Sequence, residues 1–409
     1  MNDRQTLEPD THSTITTHKY PYVIVGGGAA ACGAVRTFAE QAGHGEGQLA
    51  IVSANKGLGS EATSALKQCS TNSGDIASKL DVSTNFFAEH GFKTYFNTNI
   101  LDTDTYQRVL HLDNGVILNY DHLLLATGSK PIRSQTLPPH FKNVYYRDTL
   151  DTFLRTLLEA SSSRKVTLIG SQMVHLEIAS YLRDKGHNVT MIAEAPHPLQ
   201  NILPPQCAET MQALLITNGV EAYFGVHITE TSGQKKVKSL QLSNGEQVET
   251  DIIFVEQGTQ PDLSFISGEP TRGDSSKGIR VDQNLTTCWD SVWAAGEVAY
   301  THDQISWQHY SLQSADIAYQ QGAYCALQMM GKRHSLYPGI PEQTFSLFQR
   351  PFILLGNISD ADDCCIENDP DNLRFAIWWY RQKTLIAGCF FNCADANLVK
   401  QARDRIESE

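Results

Sequence analysis

Short apolar runs, each closed by a glycine turn and followed by a stretch of helical spacing, set the pattern of this chain. Residues 22–25 form such a run, ending in Gly26-Gly27-Gly28. The Ala-rich segment after them keeps a helical period to Gln41, and residues 49–53 read as a second buried strand. Together they predict a βαβ unit. The same order recurs at 165–169, 173–185 and 188–192, an internal duplication of the motif. Each copy carries a predicted hairpin: 109–112 with 116–118 across Asp113-Asn114-Gly115, and 239–242 with 247–250 across Asn244-Gly245. Residues 123–126 and 252–255 are further buried strands ending in glycine turns, and 315–330 is a helix stopped by Gly331. Beyond Pro338 the pattern changes to alternating apolar strands at 345–358, 375–381 and 384–391, closed by a helix over 395–406.

A chain of 409 residues has room for two or three domains. With 41% hydrophobic and 19% charged residues its composition is globular, and no apolar run approaches the roughly 18 residues of a membrane span, so no membrane partner is expected. Residues 1–19 are rich in Thr and Asp and lack the apolar core of a signal peptide; they are expected to be a disordered tail, and the protein cytoplasmic. The formal net charge of −13 repels polyphosphates, so no nucleic-acid partner is expected either. The nine cysteines are odd in number and show neither Cys-x-x-Cys nor metal-ligand spacing, which predicts buried reduced thiols and no metal.

The first glycine turn has a definite physical use. Gly26 permits the tight turn, Gly28 lets the backbone approach a pyrophosphate, and Ala31 lets the helix lie close to the strand, with the helix N-terminus aimed at phosphate oxygens. Further along, Ala126-Thr127-Gly128-Ser129-Lys130-Pro131 follows a buried strand, and Ala294-Ala295-Gly296-Glu297 follows Val292-Trp293. With these turns, Arg147-Asp148-Thr149-Leu150 and Gly388-Cys389-Phe390-Phe391-Asn392, the sequence from Tyr20 onward resembles the two-dinucleotide-binding flavoproteins of the pyridine nucleotide-disulfide oxidoreductase superfamily. Within it, the likeness is to oxygenase-coupled ferredoxin reductases and the apoptosis-inducing-factor family.

The resemblance implies an α/β fold with two Rossmann-like dinucleotide-binding domains and a C-terminal α+β interface domain. An FAD-binding domain would take residues 20–148 and 273–337, an NAD(P)H-binding-like domain 149–272, and the interface domain 338–409. FAD would meet Gly26, Gly28, Ala31, Ser53, Asn55, Ile100, Ala126, Thr127, Gly128, Arg147 and Gly296, with Glu297 holding a flavin-chain hydroxyl where the family usually has Asp. Lys67, the candidate catalytic residue, would sit near flavin N5, although the motif around it is not the family's. Trp307, His309 and Tyr310 could cover the flavin. A small-molecule substrate or a redox protein would take the electrons, and the interface domain could close a homodimer.

The second turn departs from that pattern. Where Gly-x-Gly-x-x-Gly would bind a nicotinamide nucleotide, the chain reads Gly170-Ser171-Gln172-Met173-Val174-His175, then Glu177 where the family often has Glu. Gln172 and His175 leave NAD(P)H use open between a scaffold without nucleotide and an adapted site in which His175 contacts phosphate. The loop from Gly258 to Asp262, which normally approaches the nicotinamide, is kept. The principal expectation is an FAD-dependent oxidoreductase passing hydride through N5 from NAD(P)H or a substitute donor. The alternatives are a flavin-bearing interaction protein and a biosynthetic oxidase that uses no nicotinamide.

Overall fold

The computed structural model describes residues 16–41, 48–59, 78–138, 140–266, 278–301, 314–332, 342–358, 361–393 and 396–407. Lys67, Cys69 and the cluster of Trp307, His309 and Tyr310 lie outside them.

The run at 22–25 is the end of a longer strand, Thr16–Val25, flanked in parallel by Leu49–Ser53 and Val116–Leu125. Its first residues fall in the segment expected to be a tail. Thr16 to Lys19 instead pair with Val116 to Asn119, whose backbone would otherwise lack hydrogen-bond partners on that side. Val116–Leu125 is one strand of ten residues, where the sequence suggested two. Thr16–Val25 holds one of its edges throughout. Its other edge is shared, antiparallel with Val109–Leu112 and then parallel with Val292–Ala294. Lys93–Phe96 and Ile100–Asp104 complete this seven-stranded sheet at its two ends.

The second unit is a parallel sheet in the order Glu221–Phe224, Asn188–Ala193, Lys165–Ile169, Ile252–Val255, Val144–Tyr146. Val144–Tyr146 was expected in the first unit, yet it pairs here, because Val144 and Tyr146 pack with Ile169, Ile253 and Val255. The second hairpin stands apart from the main sheet. Ser239–Leu242 and Gln247–Glu249 join Ile228–Ser232 as a small antiparallel sheet. The two units touch at an antiparallel pair, Ser129–Pro131 with Thr259–Pro261.

Helix Ser314–Met329 lies against helix Ala29–Gln41 so closely that only glycine fits at the crossing. A Cβ on Gly322 would fall on the Ala30 carbonyl, and one on Gly33 on the Tyr319 carbonyl. This fixes the helix that opens at the first turn.

The C-terminal unit is a five-stranded antiparallel sheet, in the order Glu342–Leu347, Arg350–Gly356, Thr384–Phe391, Arg374–Arg381, Asp363–Asp369. The single run read at 345–358 is a hairpin turning at Phe348 and Gln349, which hold φ of 50° and 64°. Helix Ala396–Glu407 covers one face, its Val399 and Ala402 packing with Leu355, Ala376 and Phe390 of the sheet. The other face, with Phe345, Phe352, Phe375 and Phe391, shares one core with Leu176, Ile178 and Met211 of the second unit. Of the described cysteines, Cys32, Cys207, Cys325 and Cys389 are buried, but Cys288, Cys364 and Cys365 are exposed, against the expectation that the thiols would be internal.

Candidate functional site

At the first turn Gly26 holds a φ of 138°, and its N–H donates to the Val52 carbonyl at 2.9 Å. Few side chains tolerate that backbone, and a Cβ there would overlap the Ala126 carbonyl. Ser53 is buried beneath the turn: its Oγ accepts from the Asn55 N–H at 3.1 Å and lies 2.5 Å from where a Cβ on Gly27 would stand. Nothing approaches within 4 Å of the Cβ position of Gly28. The turn therefore presents bare backbone to a crevice whose walls include Gly27, Gly28, Asn55, Thr127, Arg147 and Glu297.

Polar groups converge on that crevice. Arg147 pairs with Glu297 at 2.5 Å, and the Ser129 hydroxyl donates to the other Glu297 oxygen. Glu297, and further off Glu256 and Glu177, hold the Arg147 guanidinium firmly protonated against the opposing effect of burial. Gly296, at φ 77°, donates its N–H to Gln321 at 2.8 Å, which anchors the turn that carries Glu297. Thr127 Oγ1 is buried in the wall with no hydrogen-bond partner among the described residues. A buried hydroxyl of this kind is a place for a ligand's polar atom.

The second turn repeats the first in backbone and departs from it in side chains. Gly170 also holds φ 138°, and its N–H donates to the Ile192 carbonyl at 2.8 Å, as Gly26 does to Val52. Ala126 donates to the Val25 carbonyl at 2.7 Å, and Glu256 donates to the Ile169 carbonyl at 3.1 Å. Gly28, Ala31 and Ala126 thus correspond to Gln172, His175 and Glu256. The His175 ring fills the space over Gly170. Its Nε2 bonds the Ile169 carbonyl at 2.9 Å while Nδ1 accepts the Gln172 N–H at 3.2 Å. Burial pushes the imidazole down to about 4, against these two hydrogen bonds, so the ring is neutral near pH 7.

That geometry corrects the expectation that His175 reaches phosphate. It is fully buried, both ring nitrogens are spent on backbone, and it occupies an amide at the mouth of the turn. Glu256 stands at the bottom of the same crevice. Burial raises its carboxyl to about 7, with Arg147 opposing and Glu297 adding to the rise. The second turn does not fit a diphosphate.

The sequence comparison matches residues 20–322 to the family described as pyridine nucleotide-disulphide oxidoreductase. The chain belongs to that family. Among its relatives, human apoptosis-inducing factor 3 is 24% identical over 75% of this chain and 51% of its own length. Rubredoxin-NAD(+) reductase of Pseudomonas putida is 24% identical over 74% of this chain and 78% of its own. The chain thus spans about half the length of the human relative. Putidaredoxin reductase, solved as a covalent complex with putidaredoxin, superimposes with a TM-score of 0.79 at 20% identity, covering 94% of this chain and 93% of that one. A likeness at that identity establishes the fold.

In this member of the family, Gly28, Asn55, Ala126, Thr127, Gly128, Arg147, Gly296 and Glu297 line one crevice. Gly26, Ala31 and Ser53 lie directly behind it as buried supports. Ile100 begins an outer strand, packs on the first core, and is not in the wall. Gly170 lines the second crevice, whereas Glu177 is buried on the helix beneath it. Gly258, at φ 117°, accepts from the Ile132 N–H at 2.9 Å where the two units meet. Ser129 and Glu256 were not singled out from sequence, although aligning the two halves on Ala126 and Glu256 would have marked the second.

Proposed function

We propose that this chain is an FAD-dependent oxidoreductase of the ferredoxin-reductase and apoptosis-inducing-factor type. The observation that carries the reading is the first turn: a backbone open at Gly28, at the mouth of a helix, beside the unpartnered Thr127 hydroxyl. FAD fits these groups. The amides opening helix Ala29–Gln41 would hold its diphosphate, and Glu297, steadied by Arg147 and Ser129, would hold a hydroxyl of the flavin chain. Bound there, FAD supplies two-electron chemistry that can be released in single electrons. Ser53 and Asn55 would shape the adenosine end, the strand there running into Ser53-Ala54-Asn55 and not into an acid.

On this reading a hydride donor occupies the second crevice, and because that turn does not accept a diphosphate the donor is a substitute for NAD(P)H. A small acceptor or a redox protein takes the electrons. The relatives named above support the reading through the family they share. We extend it to residues 20–148 with 273–337 as the flavin unit, 149–272 as the donor unit and 338–409 as the interface unit, except that Val144–Tyr146 pairs with the donor sheet. We also extend it to a cytoplasmic homodimer, the free thiols suiting a reducing compartment, and sedimentation velocity tests the dimer.

The deciding experiment is an absorption spectrum of the purified chain, followed by anaerobic addition of NADH, NADPH and reduced nicotinamide riboside. A yellow protein that one of these donors bleaches supports the proposal. A folded, colourless chain that takes up no added FAD sinks it.

A further inference from the structure

The second crevice measures about 460 Å³, within the range of small-molecule sites. Among its described wall residues there is no Lys or Arg. The charged ones are Glu194 at the exposed rim and Glu256 at the floor. Glu256 is 2% exposed; its carboxyl takes a backbone hydrogen bond from Gly258, while its Oε2 is shielded from solvent and meets no hydrogen-bond donor among the described residues. The nearest guanidinium, Arg147, is already paired with Glu297 and lies in the field of Glu177 as well. Gln172 stands where the first turn has bare Gly28, and its amide is held by His175. A diphosphate entering here would find a carboxyl below it and a backbone N–H already engaged, with neither Lys nor Arg in the described wall to offset its charge.

Resting on the reading of the first crevice as the flavin site, we propose that the second crevice is a binding site for a small, phosphate-free organic cation, an amine or guanidine, with Glu256 as its counter-ion. The same residue position that is Ala126 in the flavin half has become the charge that selects the ligand in the other half.

The test uses the full chain loaded with FAD. Benzylamine, putrescine, agmatine, ADP-ribose and NADH are each titrated, and flavin absorbance, calorimetric heat and thermal midpoint are followed. At least one of the three cations is expected to bind and to shift the flavin spectrum, while ADP-ribose and NADH neither bind nor displace it. Glu256→Gln, which keeps the volume of the side chain, is expected to weaken the cation by about tenfold or more. ADP-ribose binding tightly to the wild-type chain, silence from all three cations, or equal cation affinity in a folded Glu256→Gln protein would each overturn the proposal. Should Glu256→Gln fail to fold, the wild-type contest between cation and ADP-ribose decides alone. Flavin content is measured in every sample: loss of flavin binding indicts the oxidoreductase reading, whereas a fully yellow chain that prefers ADP-ribose indicts only this inference.

Discussion

Two buried residues at the second turn, His175 and Glu256, respond to acid in opposite directions. His175 is depressed from 6.5 to about 4, so its stabilising effect is complete above pH 6.5 and is lost as pH falls through 4. Glu256 is raised from 4.5 to about 7, so its contribution is complete below pH 4.5 and is lost as pH rises through 7. Between about 4.5 and 6.5 the two slopes oppose each other. Glu256→Gln should therefore steepen the climb of the thermal midpoint over that window and leave the variant more stable than wild type above pH 7. A melting series across pH reads this directly, and a variant whose curve parallels the wild type contradicts it. At the flavin crevice, Glu297→Ala would strand the Arg147 guanidinium, three-quarters of whose side chain is shielded. A cost of about 2 kcal/mol is expected, less than for a fully buried pair, together with faster loss of FAD on dialysis.

At the scale of elements, the crossing of helices Ala29–Gln41 and Ser314–Met329 controls the first turn. Gly322→Ala would press a methyl into the Ala30 backbone, which cannot yield as a flexible side chain could. Destabilisation of about 2–3 kcal/mol is expected, with flavin content falling in parallel. A variant that melts like wild type and stays yellow would show that the helices can part. The duplicated βαβ units were legible because the first strand of each is a largely buried apolar run ending in glycine, a signal that Gly26 and Gly170 share. Strand Asp363–Asp369 was not, since it is an outer, largely exposed strand with no apolar alternation. Nor was the turn at Phe348 and Gln349, where neither Gly nor Asn announces the positive φ. The floor of the second crevice was missed for a different reason. Glu256 reads as an ordinary acid after a strand until the two halves are aligned, and the bond from its N–H to Ile169 shows that it stands where the first half has Ala126.

Over the whole molecule, the C-terminal sheet and the second unit have one apolar core between them, into which Phe352 projects fully buried. Phe348 adds a backbone bond to Ser180 Oγ at 2.7 Å. Phe352→Ala should cost about 3–5 kcal/mol and lower the melting of both units together as one calorimetric transition. Separate transitions would show the units to be energetically independent.

The short ladder between Ser129–Pro131 and Thr259–Pro261 has a mechanical consequence. It works as a buckle: Ser129 at one of its ends donates to Glu297, and Lys130 is tied to Asp262. The two halves cannot swing apart like jaws without unfastening it.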